Sequence, residues 1–147
     1  MTDNAHSQTP DGSALAKVEH YARRVLGGAF AGAYSEPDGS VTLLYAGQAL
    51  DRAVVSTLTS FGAPLRLRKV EHGLESLLSL QRLIQSTRPF DTQFGAQQGV
   101  IAVSIRLNTV VVTVDRISDA MRRFAAEGFG TAVTVREPPR YVPLSDA

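Results

Sequence analysis

The sequence of 147 residues has room for one ordinary domain, and its 44% apolar and 20% charged content suits a packed core and excludes global disorder. Lys and Arg number 15 against 14 Asp and Glu, a formal charge of +1 that supplies no strong field for nucleic acid or an anionic membrane. With no cysteine, disulfide frameworks, thiolate zinc sites and cysteine nucleophiles are all excluded.

Residues 1–16, rich in Thr, Asp, Asn, Ser, Gln, Pro and Gly, read as a disordered leader. They lack the basic and apolar regions of an export signal, and no apolar run reaches membrane-spanning length. As written, the chain is expected in the cytoplasm; as a segment of a longer precursor, it is expected to be secreted. Lys17 to Leu26 predicts a short helix with Val18, Tyr21, Ala22 and Val25 on one face, stopped by Gly27 and Gly28. Phe30 to Tyr34 and Val41 to Tyr45 then flank a hairpin loop with Asp38-Gly39 at its tip.

Leu50, Val54, Leu58 and Phe61 recur at helical spacing, and Gly62 and Pro64 end that window. Leu65 to Val70 alternates Leu with Arg as a half-buried strand does. Leu74 to Ser86 carries a broad leucine stripe, and Thr87 to Gln98, with Pro89 and Gly95, reads as a loop. Val100 to Leu107 alternates again, Asn108-Thr109 turns the chain, and Val110 to Val114 returns. Ile117 to Ala125 predicts an amphipathic helix closed by Glu127-Gly128, and Thr131 to Arg136 a last strand.

The last third repeats the first. Phe61-Gly62-Ala63-Pro64-Leu65-Arg66-Leu67-Arg68 aligns with Phe129-Gly130-Thr131-Ala132-Val133-Thr134-Val135-Arg136. Val41, Leu43 and Tyr45 then fall on Val110, Val112 and Val114. The expected fold is therefore α/β (α+β): two ββαβ repeats, about residues 29–70 and 99–136, with mainly antiparallel sheets, joined by the helix at 74–86. Each helix is expected to pack on Leu43, Leu65 and Leu67, or on Val112, Val133 and Val135. The opposite faces then carry Thr42, Leu44, Arg66 and Arg68 in the first unit. In the second they carry Ala102, Ser104, Arg106, Val111, Thr113, Thr134 and Arg136.

Residues with catalytic potential have simpler explanations. His72 precedes Gly73 at a helix start, where a cap or loop residue is the commoner role; His20 and His6 stand apart from it. Asp115, Asp51, Glu71 and Glu75 sit at helix starts, where carboxylates cap or complement the dipole. No nucleophile elbow, phosphate loop or metal-ligand spacing is present. Arg66, Arg68, Lys69, Arg106 and Arg136 lack the aromatic platform of an RNA-binding sheet on the second unit. No catalytic residue, cofactor or metal is therefore assigned, and neither a nucleic acid nor a membrane is expected as partner. The alternative class is a small enzyme using His72 with a nearby carboxylate, or a weak nucleic-acid-binding domain.

Three strings carry a family likeness: Phe30-Ala31-Gly32 before a strand pair, Leu65-Arg66-Leu67-Arg68-Lys69-Val70-Glu71-His72-Gly73-Leu74-Glu75-Ser76-Leu77, and Asn108-Thr109-Val110-Val111-Val112-Thr113-Val114. Over about residues 29–136 the chain resembles the pro-region domain of actinobacterial chymotrypsin-like serine proteases, the streptogrisin and α-lytic protease type. That resemblance implies an intramolecular chaperone that assists folding of its protease and then inhibits it. It also implies that the C-terminal subdomain docks a sheet on the protease and that the tail enters the substrate cleft. A protein-binding surface is accordingly expected at Ser104, Arg106, Thr113, Thr134 and Arg136. The proline-rich tail at 137–147 is expected to be extended, with Tyr141 and Val142 as anchors.

Overall fold

A computed structural model describes residues 13–139. The chain divides into two compact units. The first runs to Leu77 and includes the segment Ile105–Asn108; the second comprises Leu78–Ser104 and the chain from Thr109 onward.

Helix α1 (Ala14–Leu26) opens the first unit, and Ser13 caps it by accepting the Ala16 N–H at 3.0 Å. Ser13 to Ala16, expected in the leader, thus start a helix, because the serine satisfies a donor that a helix end leaves open. Strands β1 (Phe30–Ser35) and β2 (Val41–Ala46) pair antiparallel, α2 (Arg52–Thr59) follows, and β3 (Leu65–Val70) returns parallel to β2. Asp51 occupies the N-cap of α2, but its side chain makes no capping bond. Val18, Ala22, Val41, Leu43 and Leu58 are buried.

Helix α3 (Leu74–Thr87) runs from the first unit into the second. The expected loop after it contains a one-and-a-half-turn helix, α4 (Pro89–Phe94), with Pro89 in the first turn, where its missing N–H costs nothing. Strands β4 (Gln98–Ser104) and β5 (Thr109–Val114) pair antiparallel, α5 (Asp119–Phe129) follows, and β6 (Val133–Arg136) returns parallel to β5. Ser118 caps α5 by accepting the Met121 N–H. Asp115, expected to cap, instead accepts the Gln97 N–H at 2.8 Å. Phe90, Ile84, Val110, Val112, Val114 and Met121 form the core, and Phe124 meets Phe90, Phe94 and Phe129 edge-on.

Both units are ββαβ, with sheet orders β1-β2-β3 and β4-β5-β6. Each sheet is mixed, with one antiparallel and one parallel pairing rather than the mainly antiparallel arrangement expected, since a strand returning through a helical crossover lies parallel to the one it left. The repeat read from the sequence reappears as register: Val41 opposes Leu65 and Leu43 opposes Leu67, as Val110 opposes Val133 and Val112 opposes Val135. Even the irregularities match. One extra residue bulges from β1 between Phe30 and Gly32, and one from β4 between Gln98 and Ile101. The shared Phe-Gly pairs have Gly62 at φ +99° and Gly130 at φ +60°, a backbone region that favours glycine at both helix ends.

Burial departs from expectation in four places, one of them Val111, expected on the open face of the second sheet and only 5% exposed. Leu67, expected under a helix, is 41% exposed, because β3 is an edge strand and α2 has only eight residues. Thr42 and Leu44, expected on an open face, are buried. The alternation at 100–107 also stops early: β4 ends at Ser104, and Ile105 to Asn108 form a turn that leaves Leu107 62% exposed.

Within the first unit that turn is closely held. Ile105 lies against Gly32, and the Arg106 guanidinium sits 3.9 Å from the Tyr34 ring centroid. Arg68 Nη1 donates to the Arg106 carbonyl at 2.7 Å. Gly32, Tyr34, Thr42, Leu44 and Arg68 share one face of the sheet by register, so these contacts explain why that face is not open.

Candidate protein-binding interface

The second sheet has two unlike faces. Ile101, Val110, Val112, Val114 and Val133 point to the buried side, while Ala102, Ser104, Thr113, Thr134 and Arg136 lie on the other, with Val111 and Thr109 buried between them. Of the expected site residues, Thr134 and Arg136 are exposed on edge strand β6, with Arg136 opposite Thr113 in the register. Ser104 and Thr113 are half-buried. The Thr134 and Thr109 hydroxyls are 3.2 Å apart, which ties β6 to β5 through side chains as well as through the ladder. These four residues share a face.

Arg106 does not join them. It leaves the strand at the Ile105–Asn108 turn and is engaged in the first unit. There it stacks on Tyr34, donates to the Ser35 carbonyl at 3.4 Å and lies 3.8 Å from Glu36. The strand period could not reveal this, because Ile105 and Leu107 continue the apolar alternation past the point where pairing ends. Tyr141 and Val142 lie outside the described residues.

The sheet's two edges differ in a way the sequence concealed. Along β4, Gln98 donates its N–H to Asp91 Oδ1 at 2.7 Å, and its carbonyl accepts from Arg88 Nη2 at 2.9 Å. Gln81 Nε2 donates to the Ile101 carbonyl at 2.9 Å. Arg88 and Asp91 pair with each other at 2.6 Å. Side chains from α3, α4 and the residue between them therefore occupy edge groups of β4 that another strand would need. The sequence signal for this is Pro89-Phe90-Asp91, a proline and an acidic residue in the first turn of α4.

Edge strand β6 carries no such cover among the described residues. It runs into Glu137, whose carboxylate accepts the Ile117 N–H at 3.0 Å, and then into Pro138 and Pro139. A cavity of about 240 Å³ opens at this end of the unit, lined by Gln97, Gly99, Thr113, Asp115 and Pro138 among others. It is of a size for one side chain.

His72 is half-buried, and its main-chain N–H and carbonyl are both bound by Asn108. Among the described residues, no three His, Asp or Glu side chains come together as metal ligands. No described helix is long and apolar enough to cross a membrane. No family model matches the chain, and no curated protein matches it.

Proposed function

We propose that this chain is a non-catalytic protein-binding module that acts as a folding chaperone or inhibitor of a chymotrypsin-like serine protease, as its resemblance to streptogrisin-type pro-regions implies. The observation that carries the reading is the asymmetry of the second sheet, with β4 covered by Gln81, Arg88 and Asp91 and β6 without such cover among the described residues. A strand of the partner adds to β6 by main-chain hydrogen bonds. Thr134 and Arg136 flank that addition, and neither is bulky and apolar.

A streptogrisin-like protease domain, denatured and refolded with and without this chain in trans, tests the reading. The expected result is a higher yield of active enzyme, measured by active-site titration, and slower hydrolysis of a peptide substrate by the native enzyme. No change in either measurement overturns the protease assignment.

A further inference from the structure

We propose that the outer edge of β3, in the first unit, is a strand-addition site for an acidic, extended segment of a partner protein. This concerns a different sheet and a different ligand chemistry from the β6 reading, and it stands or falls separately.

Strand β3 is six residues long, Leu65-Arg66-Leu67-Arg68-Lys69-Val70, and β2 is its one neighbour in the sheet. Its four central residues are all exposed, including Leu67. An edge strand of this length presents a row of main-chain donors and acceptors, and among the described residues no side chain from another element bonds to its main chain as Gln81 and Arg88 bond to β4.

The charge on this edge selects the occupant. Arg66 and Arg68 point to one face, and Lys69 points to the other with Leu65 and Leu67. Arg66 shares its charge with Asp38, 3.1 Å away. Arg68 spends one N–H on the neutral Arg106 carbonyl, and no carboxylate lies within ion-pair distance of Arg68 or Lys69 among the described residues. An incoming strand with adjacent acidic residues, one to each face, would meet both free cations. A second copy of this chain does not fit, because pairing β3 with itself sets three cations against three. Single-stranded nucleic acid needs successive aromatic faces for stacking; Tyr34 is already covered by Arg106, and half-buried Tyr45, opposite Lys69, is one ring and not a platform.

The test uses the full chain and fluorescein-labelled octapeptides read by fluorescence anisotropy. One peptide alternates Val and Glu with a single Glu-Glu step, and a second has Lys in place of each Glu. Two further copies of the acidic peptide are N-methylated on alternate residues, one on the odd set and one on the even set. We expect the acidic peptide to bind with a micromolar Kd and the Lys peptide at least tenfold more weakly. One methylated copy should lose at least tenfold while the other is spared, because a strand turns alternate N–H groups toward its neighbour. The R68E/K69E variant, with folding checked by circular dichroism, should reverse the preference between the peptides. Equal binding of both methylated copies at full strength, an unchanged preference in a folded R68E/K69E variant, or no binding of the acidic peptide at millimolar concentration each overturns the proposal. Competition by oligo-dT that tracks the same two residues, with both methylated copies unaffected, would assign the edge to nucleic acid instead.

Discussion

Asn108 holds the main chain of His72 on both sides: Oδ1 accepts the His72 N–H at 2.9 Å, and Nδ2 donates to the His72 carbonyl at 2.8 Å. The asparagine is buried and has φ +54°, a left-handed conformation that Asn tolerates better than most residues. Asn108→Ala removes both bonds, leaves two main-chain groups without these partners and strains the backbone. A loss of about 2–4 kcal/mol is expected by urea unfolding. Asn108→Gly, which keeps the conformation and loses the bonds, should cost less than the alanine. Equal stability of Asn108→Ala and wild type would refute this account.

Gly32 faces Ile105 at close range. A Cβ at position 32 would lie 2.5 Å from Ile105 Cγ2, and the residue has φ +119°. Gly32→Ala therefore combines overpacking with backbone strain and should cost about 2–4 kcal/mol. Pairing it with Ile105→Ala removes the clash and leaves the strain. The double variant should lose less than the sum of the single losses, and strict additivity in the cycle would show that the two positions do not touch.

Much of the architecture was legible because repeated packing problems recruit similar residues. Matching Val41 with Val110 and Leu65 with Val133 anticipated the register, since Val41 opposes Leu65 in one sheet as Val110 opposes Val133 in the other. Local pattern failed where a contact is long-range. Thr42 and Leu44 read as an open face because nothing near them in sequence announces the turn around Arg106. The site residues Thr113, Thr134 and Arg136 share a face as strand alternation requires. Arg106 does not, because alternation continued through residues that no longer form a strand. The cover on β4 was invisible for a related reason: it depends on where Gln81, Arg88 and Asp91 arrive in space.

That cover should be removable. Asp91→Ala deletes the acceptor of the Gln98 N–H and the partner of Arg88. Losing a partner for a main-chain group of a buried residue costs about 1–3 kcal/mol. It also uncovers part of a strand edge, so the folded variant should self-associate as concentration rises. Urea unfolding and static light scattering read the two effects. A monomeric variant of unchanged stability would show that the contact contributes nothing.

Asp38 supplies a pH-dependent contact beside the β3 edge. The Ser40 hydroxyl, 2.6 Å from Oδ1, holds its carboxyl below the ordinary value of 3.8, with smaller help from the Ser40 N–H and Arg66. A carboxylate whose pKa is lower in the folded state stabilises the fold above the unfolded-chain value, and that contribution is lost as pH falls through the folded value. Acidification below about pH 4 should therefore weaken wild type more than Asp38→Asn. Side-chain NMR titration should place Asp38 below an unperturbed aspartate. A midpoint at or above the ordinary value would rule the contact out.

Glu137 stands between β6 and the tail and has a bond of its own. Removing residues 137–147 also removes Glu137, whose carboxylate accepts the Ile117 N–H ahead of α5. That truncation should cost about 1 kcal/mol for one solvent-exposed hydrogen bond. Removing only 140–147 spares Glu137, Pro138 and Pro139, and with them the Ile117 hydrogen bond. If the tail enters a protease cleft, the shorter deletion should weaken inhibition at least tenfold while preserving the gain in refolding yield, since strand addition at β6 is untouched. Comparing both truncations by urea unfolding, inhibition and refolding separates the two contributions. Full inhibition by the 140–147 deletion would remove the tail from the interface and leave β6 alone to account for binding.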